Sequence, residues 1–150
     1  VVIKDKINAD LKSALLSGDH FLAETLRGIK AVILNEEVAQ GKRDEGLDDA
    51  TIEQLIAREV KKRNESASIY DGVGRSELSE KERAEAKILG KYLPEQVSEN
   101  DIKIVVERVI KEIGVSGPAA VGQVIGTVKK ELGNTADGAL IAQIVKSELI

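Results

Sequence analysis

The residues best placed to do chemistry stand near the end of the chain. Lys129-Lys130 precede the run Gly133-Asn134-Thr135-Ala136-Asp137-Gly138. Cations in the last turn of a helix relieve its dipole, and Gly133 reads as the residue that ends that helix. Asp137-Gly138 falls at the start of the next helix, where backbone amides lack partners and attract anions. Two ammonium groups beside such amides could grip a nucleic-acid backbone. Lys129, Lys130, Gly133, Asn134, Asp137 and Gly138 are therefore the candidate binding residues. Taken singly, the same residues also suit an ordinary turn between two helices.

Other groups offer less. Lys61-Lys62-Arg63, with Arg58 one turn earlier, is the densest basic cluster, but Glu59 and Glu65 balance it as on a solvated helix face. Arg63 falls on or near an apolar stripe, and Arg27 poses the same problem on an earlier helix. A buried arginine needs a carboxylate, because leaving one partner unpaired costs about 3–5 kcal/mol. Glu24, Glu36, Glu59 and Glu85 are available. Arg27, Arg63, Glu36 and Glu85 are accordingly read as structural ion pairs that fix helix register. Glu36/Glu37 and Asp48/Asp49 are adjacent carboxylates with no second chemical group beside them, which suits solvated or capping roles. His20, next to Asp19, reads as a surface or capping-turn histidine. The chain has no Cys and a single His, which leaves no thiolate nucleophile and makes histidine relays and histidine-rich metal sites poor readings. No GxxxxGK[ST] loop occurs, and no GxGxxG follows a strand. No catalytic residue, metal site or cofactor is expected.

The elements that must position these groups are helical. Of the 150 residues, 42% are apolar and 32% charged, with a net charge of −4, enough apolar material for a core. Ile3, Ile7, Leu11, Ala14 and Leu15 recur at steps of three and four. Gly18 stops this helix and Asp19 caps the next, whose stripe is Leu22, Leu26, Ile29 and Ile33. Gly41 to Leu47 is a polar loop. Asp48 or Asp49 opens a third helix carrying Ile52, Leu55, Ile56, Val60, Ala67 and Tyr70, about 33 Å long if it runs from 50 to 71. Asp71-Gly72-Val73-Gly74 breaks it. Ser79 with Glu82 matches a capping box and Ser76 does not, so the fourth helix is expected to start at Ser79. Ser98 with Asp101 opens a fifth helix bearing Ile102, Val105, Val106, Val109, Ile110 and Ile113. A sixth runs from Ala120 to Leu132, and a seventh carries Leu140, Ile141, Ile144, Val145 and Leu149. Val and Ile also suit strands, but the spacing here is three-four rather than two.

The expected architecture is all-α: a long-helix bundle over residues 1–93 and a compact three-helix unit over 97–150. A hinge is expected near 94–96, where Pro94 removes a backbone donor and pushes Leu93 away from helical angles. The start, Val1-Val2-Ile3-Lys4-Asp5-Lys6, lacks the apolar region and cleavage site of a signal peptide. No stretch approaches the length of a membrane span. A cytoplasmic protein is expected. The missing initial Met suggests processing, a non-Met start or truncation.

The order and spacing of several blocks resemble the GatB/YqeY family, in particular its stand-alone YqeY-like members. The blocks are Asp10-Leu11-Lys12-Ser13-Ala14, then Thr25-Leu26-Arg27-Gly28-Ile29-Lys30-Ala31 and Asn35-Glu36. The middle block is Lys61-Lys62-Arg63-Asn64-Glu65-Ser66, Tyr70, Gly74-Arg75, Glu77-Leu78, Glu82, Glu85 and Ile88-Leu89, running to Tyr92-Leu93-Pro94-Glu95-Gln96. The last is Gly122-Gln123-Val124-Ile125-Gly126, then Lys129, Gly133, Ala136-Asp137-Gly138 and Val145. The resemblance spans nearly the whole chain. It implies an all-α fold and kinship with the tail of the GatB component of the tRNA-dependent Asp/Glu amidotransferase, which helps hold tRNA while the chemistry occurs in other domains. A tRNA-binding accessory module follows from it, together with a carbon–nitrogen ligase label (glutamine as amide donor) that does not make this chain catalytic by itself. Ile125 and Val128 stand where methionines are frequent and Gly28 where a bulkier apolar residue is usual, changes expected to touch packing.

Residues 97–150 carry seven acidic and six basic side chains, so tRNA binding should be weak, local and salt-sensitive. An amidotransferase or translation-related protein is a further expected partner; a membrane is not. The alternative is a helical protein-interaction adaptor, with an exposed apolar groove between the two units and no RNA association.

Overall fold

The computed structural model describes residues 2–150. Among the described residues there are seven α-helices and no strand: α1 (Val2–Ser17), α2 (His20–Ala39), α3 (Asp49–Gly72), α4 (Ser76–Gly90), α5 (Glu99–Ile113), α6 (Val121–Leu132) and α7 (Gly138–Leu149). Short 3-10 turns at Pro118–Ala120 and Gly133–Thr135 flank α6. The all-α expectation holds. The three-four spacing of the Val/Ile-rich final segments outweighs the strand preference of those residue types, because it gives each helix one continuous face to bury.

Local chemistry sets most helix starts. Asp19 accepts from the Leu22 amide at 3.1 Å, Asp48 from Thr51 at 2.8 Å, and Ser98 from Asp101 at 3.1 Å. Each satisfies one of the donors that a helix start leaves unpaired. The Thr51 hydrogen bonds hold the Asp48 carboxyl below the usual carboxylate range. His20 is the exposed first residue of α2.

The chain divides into two compact units, one ending at Leu93 and one running from Pro94 to Ile150. In the first, Ile7 of α1, Leu26, Ile29 and Ile33 of α2, Ile52 and Ile56 of α3 and Leu89 of α4 form one buried cluster. Tyr92, just past α4, closes it. Its hydroxyl donates to Asp10 Oδ2 at 2.5 Å, and the Lys6 ammonium lies 5.9 Å from its ring centroid. In the second unit, Ile102, Val106 and Val109 of α5 meet Val124 and Val128 of α6 and Ile141, Val145 and Leu149 of α7. Gly28 faces open space at the surface of α2. That departure from the family pattern therefore leaves the core untouched, contrary to expectation.

The start of α4 also differs from expectation. The helix begins at Ser76, three residues before the capping-box serine, and Arg75 precedes it with no side-chain cap. Gly74, at a φ of +72° that an L side chain rarely adopts, turns the chain, and the Arg75 amide bonds back to the Tyr70 carbonyl at 2.8 Å. Ser79 is 1% exposed and its hydroxyl accepts from Arg83. Arg83 in turn grips Asp71 at 2.5 Å, joining the end of α3 to α4. The hydrogen bonds of Arg83 and then of Ser79 hold the Asp71 carboxyl below its ordinary range. The serine that looked like a cap is spent on a tertiary network.

Candidate nucleic-acid interface

α6 ends in Lys129-Lys130, and its carbonyl ladder closes when the Gly133 amide bonds to the Lys129 carbonyl. Gly133 has φ +55° and ψ −132°, a backbone state that glycine reaches without a Cβ penalty. A 3-10 turn follows, in which the Thr135 hydroxyl donates to the Leu132 carbonyl at 2.6 Å. Ala136 is extended, and Asp137 caps α7 by accepting from the Ala139 amide at 3.2 Å. The turn thus brings Lys129 onto the first residue of α7. A Cβ built on Gly138 would stand 3.0 Å from Lys129 Cε and 3.2 Å from its Nζ. An ammonium group therefore lies at the positive pole of α7, an arrangement unfavourable by itself, with the Asp137 carboxylate in the same corner. Lys129 and Lys130 are exposed, while Gly138 and Asn134 are half-buried.

Two other cations of this unit are committed elsewhere. Arg108 of α5 bonds Glu112 on its own helix at 3.1 Å and also Glu131 of α6, and Lys103 pairs with Glu148 at 3.8 Å. The corner is held from outside by residues 94–97. Gln96 Nε2 donates to the Pro94 carbonyl at 2.8 Å and to the Asn134 carbonyl at 3.0 Å. The Val97 amide donates to the Thr135 carbonyl at 2.9 Å.

Of the expected ion-pair residues, Arg63 and Glu85 come together. Arg63 Nε stands 3.0 Å from Glu85 Oε2 and Nη1 stands 3.3 Å from Glu59 Oε1, all three side chains less than a fifth exposed. Arg27 is exposed rather than buried and pairs with Glu24 one turn earlier at 2.5 Å. Glu36 accepts from Gln40 Nε2 at 2.7 Å. Arg27 and Glu36 stand about two and a half turns apart on one helix, too far to meet.

The charged residue that sequence reasoning misses is Glu37. It is 2% exposed, and its Oε2 takes the Lys4 ammonium at 2.8 Å and the buried Leu47 amide at 3.4 Å. Of the solvated or capping roles expected for Glu36/Glu37, the solvated one fails for Glu37, which is buried and accepts from the Leu47 amide. The available signal was position: Leu26, Ile29, Ile33 and Glu37 follow steps of three and four, so Glu37 continues the buried stripe of α2. Its adjacent partner in sequence, Glu36, lies off that stripe. Asp49 accepts from the Ile3 amide at 3.2 Å and Asp48 caps α3, so this pair has local structural roles.

Among the described residues, no group of three or more His, Asp or Glu side chains is placed to hold a metal ion, and no helix is long and apolar enough to cross a membrane. The fold and this corner define a class: an all-α protein with a small helical unit that presents a lysine- and glycine-bearing turn. The chain belongs to the YqeY-like protein family, whose model matches residues 4–149. It is 31% identical over 116 residues to the altered inheritance of mitochondria protein 41, mitochondrial, of Lachancea thermotolerans, covering 75% of this chain and 60% of that one. The protein of the same name from Pyrenophora tritici-repentis is 26% identical over 148 residues, 97% of this chain and 80% of its own. A glutamyl-tRNA(Gln) amidotransferase subunit of Methanosarcina barkeri is 36% identical over 134 residues, 89% of this chain and 17% of that subunit. The chain spans about three fifths to two thirds of the first two fungal relatives, those of Lachancea thermotolerans and Kluyveromyces lactis.

Proposed function

We propose that the chain is a tRNA-binding accessory module, non-catalytic by itself, that meets the RNA backbone at the Lys129–Gly138 corner. The observation that carries this reading is the ammonium of Lys129 laid over the first residue of α7. Two positive features are brought together beside the Asp137 carboxylate, and a phosphate entering the corner would meet both. The similarity to a glutamyl-tRNA(Gln) amidotransferase subunit supplies the RNA class. The shared segment is 17% of that subunit; this reading gives it the part of holding tRNA and leaves amide transfer, with the carbon–nitrogen ligase label, to the larger assembly. An amidotransferase or translation-related protein is the corresponding protein partner; the cytoplasm is the compartment the sequence favours, against the mitochondrial names of the fungal relatives.

The test is a tRNA titration at several salt concentrations. Phosphate contacts release counterions, so log affinity falls with log salt by somewhat less than one unit per phosphate neutralised. Two lysines predict a shallow slope of about −1 to −2 and binding that disappears in Lys129→Glu plus Lys130→Glu. Unchanged affinity in that variant refutes the corner.

A second reading, a protein-interaction adaptor, is favoured by Ile69, Val73 and Leu78, which stand exposed about the α3–α4 turn. It predicts a pull-down that survives nuclease treatment and no salt-sensitive tRNA affinity.

A further inference from the structure

A residue outside the corner is hydrogen-bonded to it. Within the turn at 133–135, the Gly133 amide closes α6 and the Thr135 hydroxyl reaches back to Leu132. The carbonyls of Asn134 and Thr135 point instead to the segment that leads into α5. There, the Val97 amide takes Thr135 and the Gln96 side-chain amide takes Asn134. Val97 and Ala136 both pack on the core of this unit, as does Leu132 just before the turn, so the strap and the corner share one foundation.

Gln96 has the chemistry for a clamp. A primary amide offers two N–H donors on one nitrogen, and here Nε2 meets two carbonyls, Pro94 at 2.8 Å and Asn134 at 3.0 Å. One donor fixes the strap upon itself and the other fixes the turn to the strap. No other neutral side chain of this length can do both. Glutamate would turn acceptors toward two carbonyl oxygens, and asparagine is one methylene shorter.

We propose that Gln96 is a positioning residue for nucleic-acid binding: by clamping Asn134 to the strap it holds the turn in the shape that sets Lys129 over Gly138. This rests on the tRNA-binding reading above. Gln96 carries no charge and bonds backbone carbonyls, so its effect on binding passes through the geometry of the corner and not through contact with the RNA.

The experiment compares the full chain with Gln96→Met, which keeps side-chain length and net charge but has no donors. A second variant, Gln96→Glu combined with Glu95→Gln, also preserves net charge. Each is titrated with tRNA in the wild-type background and in a Lys129→Ala, Lys130→Ala background, with thermal melting recorded alongside. The expected result is a three- to tenfold loss of affinity in the wild-type background, on the order of the coupling found between residues of one network. In the Lys129→Ala, Lys130→Ala background, titrated at low salt where the residual affinity is measurable, the same substitution costs nothing further, and the melting curve stays near that of the parent. A general loss of structure would weaken both backgrounds alike, so an undiminished loss without the lysines overturns the proposal. Unaltered affinity in both Gln96 variants overturns it too, while leaving tRNA binding standing. If the unsubstituted chain shows no salt-sensitive tRNA affinity, the functional reading and the clamp's part in it fall together.

Discussion

Lys4 Nζ stands 2.8 Å from Glu37 Oε2, and the carboxylate is 2% exposed while the lysine side chain is 35% exposed. The pair bridges α1 and α2, and the same carboxylate also caps the Leu47 amide, which draws the end of the 40–47 loop onto the core. The two partners are not equivalent. Lys4 can return to water when Glu37 is removed, but the Leu47 amide cannot. Removal of Lys4 leaves a buried carboxylate with one backbone donor.

Glu37→Ala is expected to lower the free energy of unfolding by about 2–4 kcal/mol, from a lost charge-assisted pair and an orphaned buried amide. Urea denaturation followed by circular dichroism measures it. A loss below about 0.5 kcal/mol, typical of an exposed pair, would mean that Glu37 is solvated after all.

Arg63 and Glu85 join α3 to α4 with both side chains less than a fifth exposed. A double-mutant cycle of Arg63→Met and Glu85→Gln is expected to give a coupling of about 1–2 kcal/mol. The parallel cycle on exposed Arg27 and Glu24 should give about 0.5 kcal/mol or less. Equal couplings would contradict the difference in burial.

Tyr92 supplies a pH dependence. Burial, first, and then its bond to the Asp10 carboxylate push its phenol well above the ordinary value. The folded state therefore disfavours the phenolate. The resulting stability is fully present below about pH 10, the unfolded value, and is lost as pH rises beyond it. In a Tyr70→Phe background, absorbance near 295 nm should show no phenolate until well past that point. Asp10→Asn should bring the transition down only part of the way, because burial is the larger cause. A phenolate forming near pH 10 in the folded protein would show that Tyr92 is neither buried nor paired.

Gly138→Ala separates stability from binding at the corner. Alanine restricts the unfolded chain and favours helix by about 0.4–1 kcal/mol, while its Cβ would press on Lys129 Cε at 3.0 Å. The far end of a lysine moves easily, so melting should hold or rise slightly while tRNA affinity falls as the ammonium is displaced. A marked drop in melting temperature would mean that Lys129 is rigidly packed and structural.

The sequence by itself determined which segments are helical and where most of them start. Three-four spacing puts Ile102, Val106 and Val109, or Ile141, Val145 and Leu149, on single faces, and Asp19, Asp48 and Ser98 bond amides within three residues of themselves. Such interactions are complete within one turn of chain, so residue order is enough to find them. Only the tertiary structure decided that Glu37 is buried against Lys4, that Ser79 serves Arg83 instead of capping a helix, and that Gln96 reaches Asn134. The Lys4–Glu37 and Gln96–Asn134 bonds join residues 33 and 38 positions apart. Ser79 and Arg83 are one helical turn apart, but the hydroxyl is buried only because α4 starts earlier and packs against α3. In each case the polar group's partner is chosen by which helix faces meet, and that choice is set by the packing of the whole unit rather than by any local run of residues.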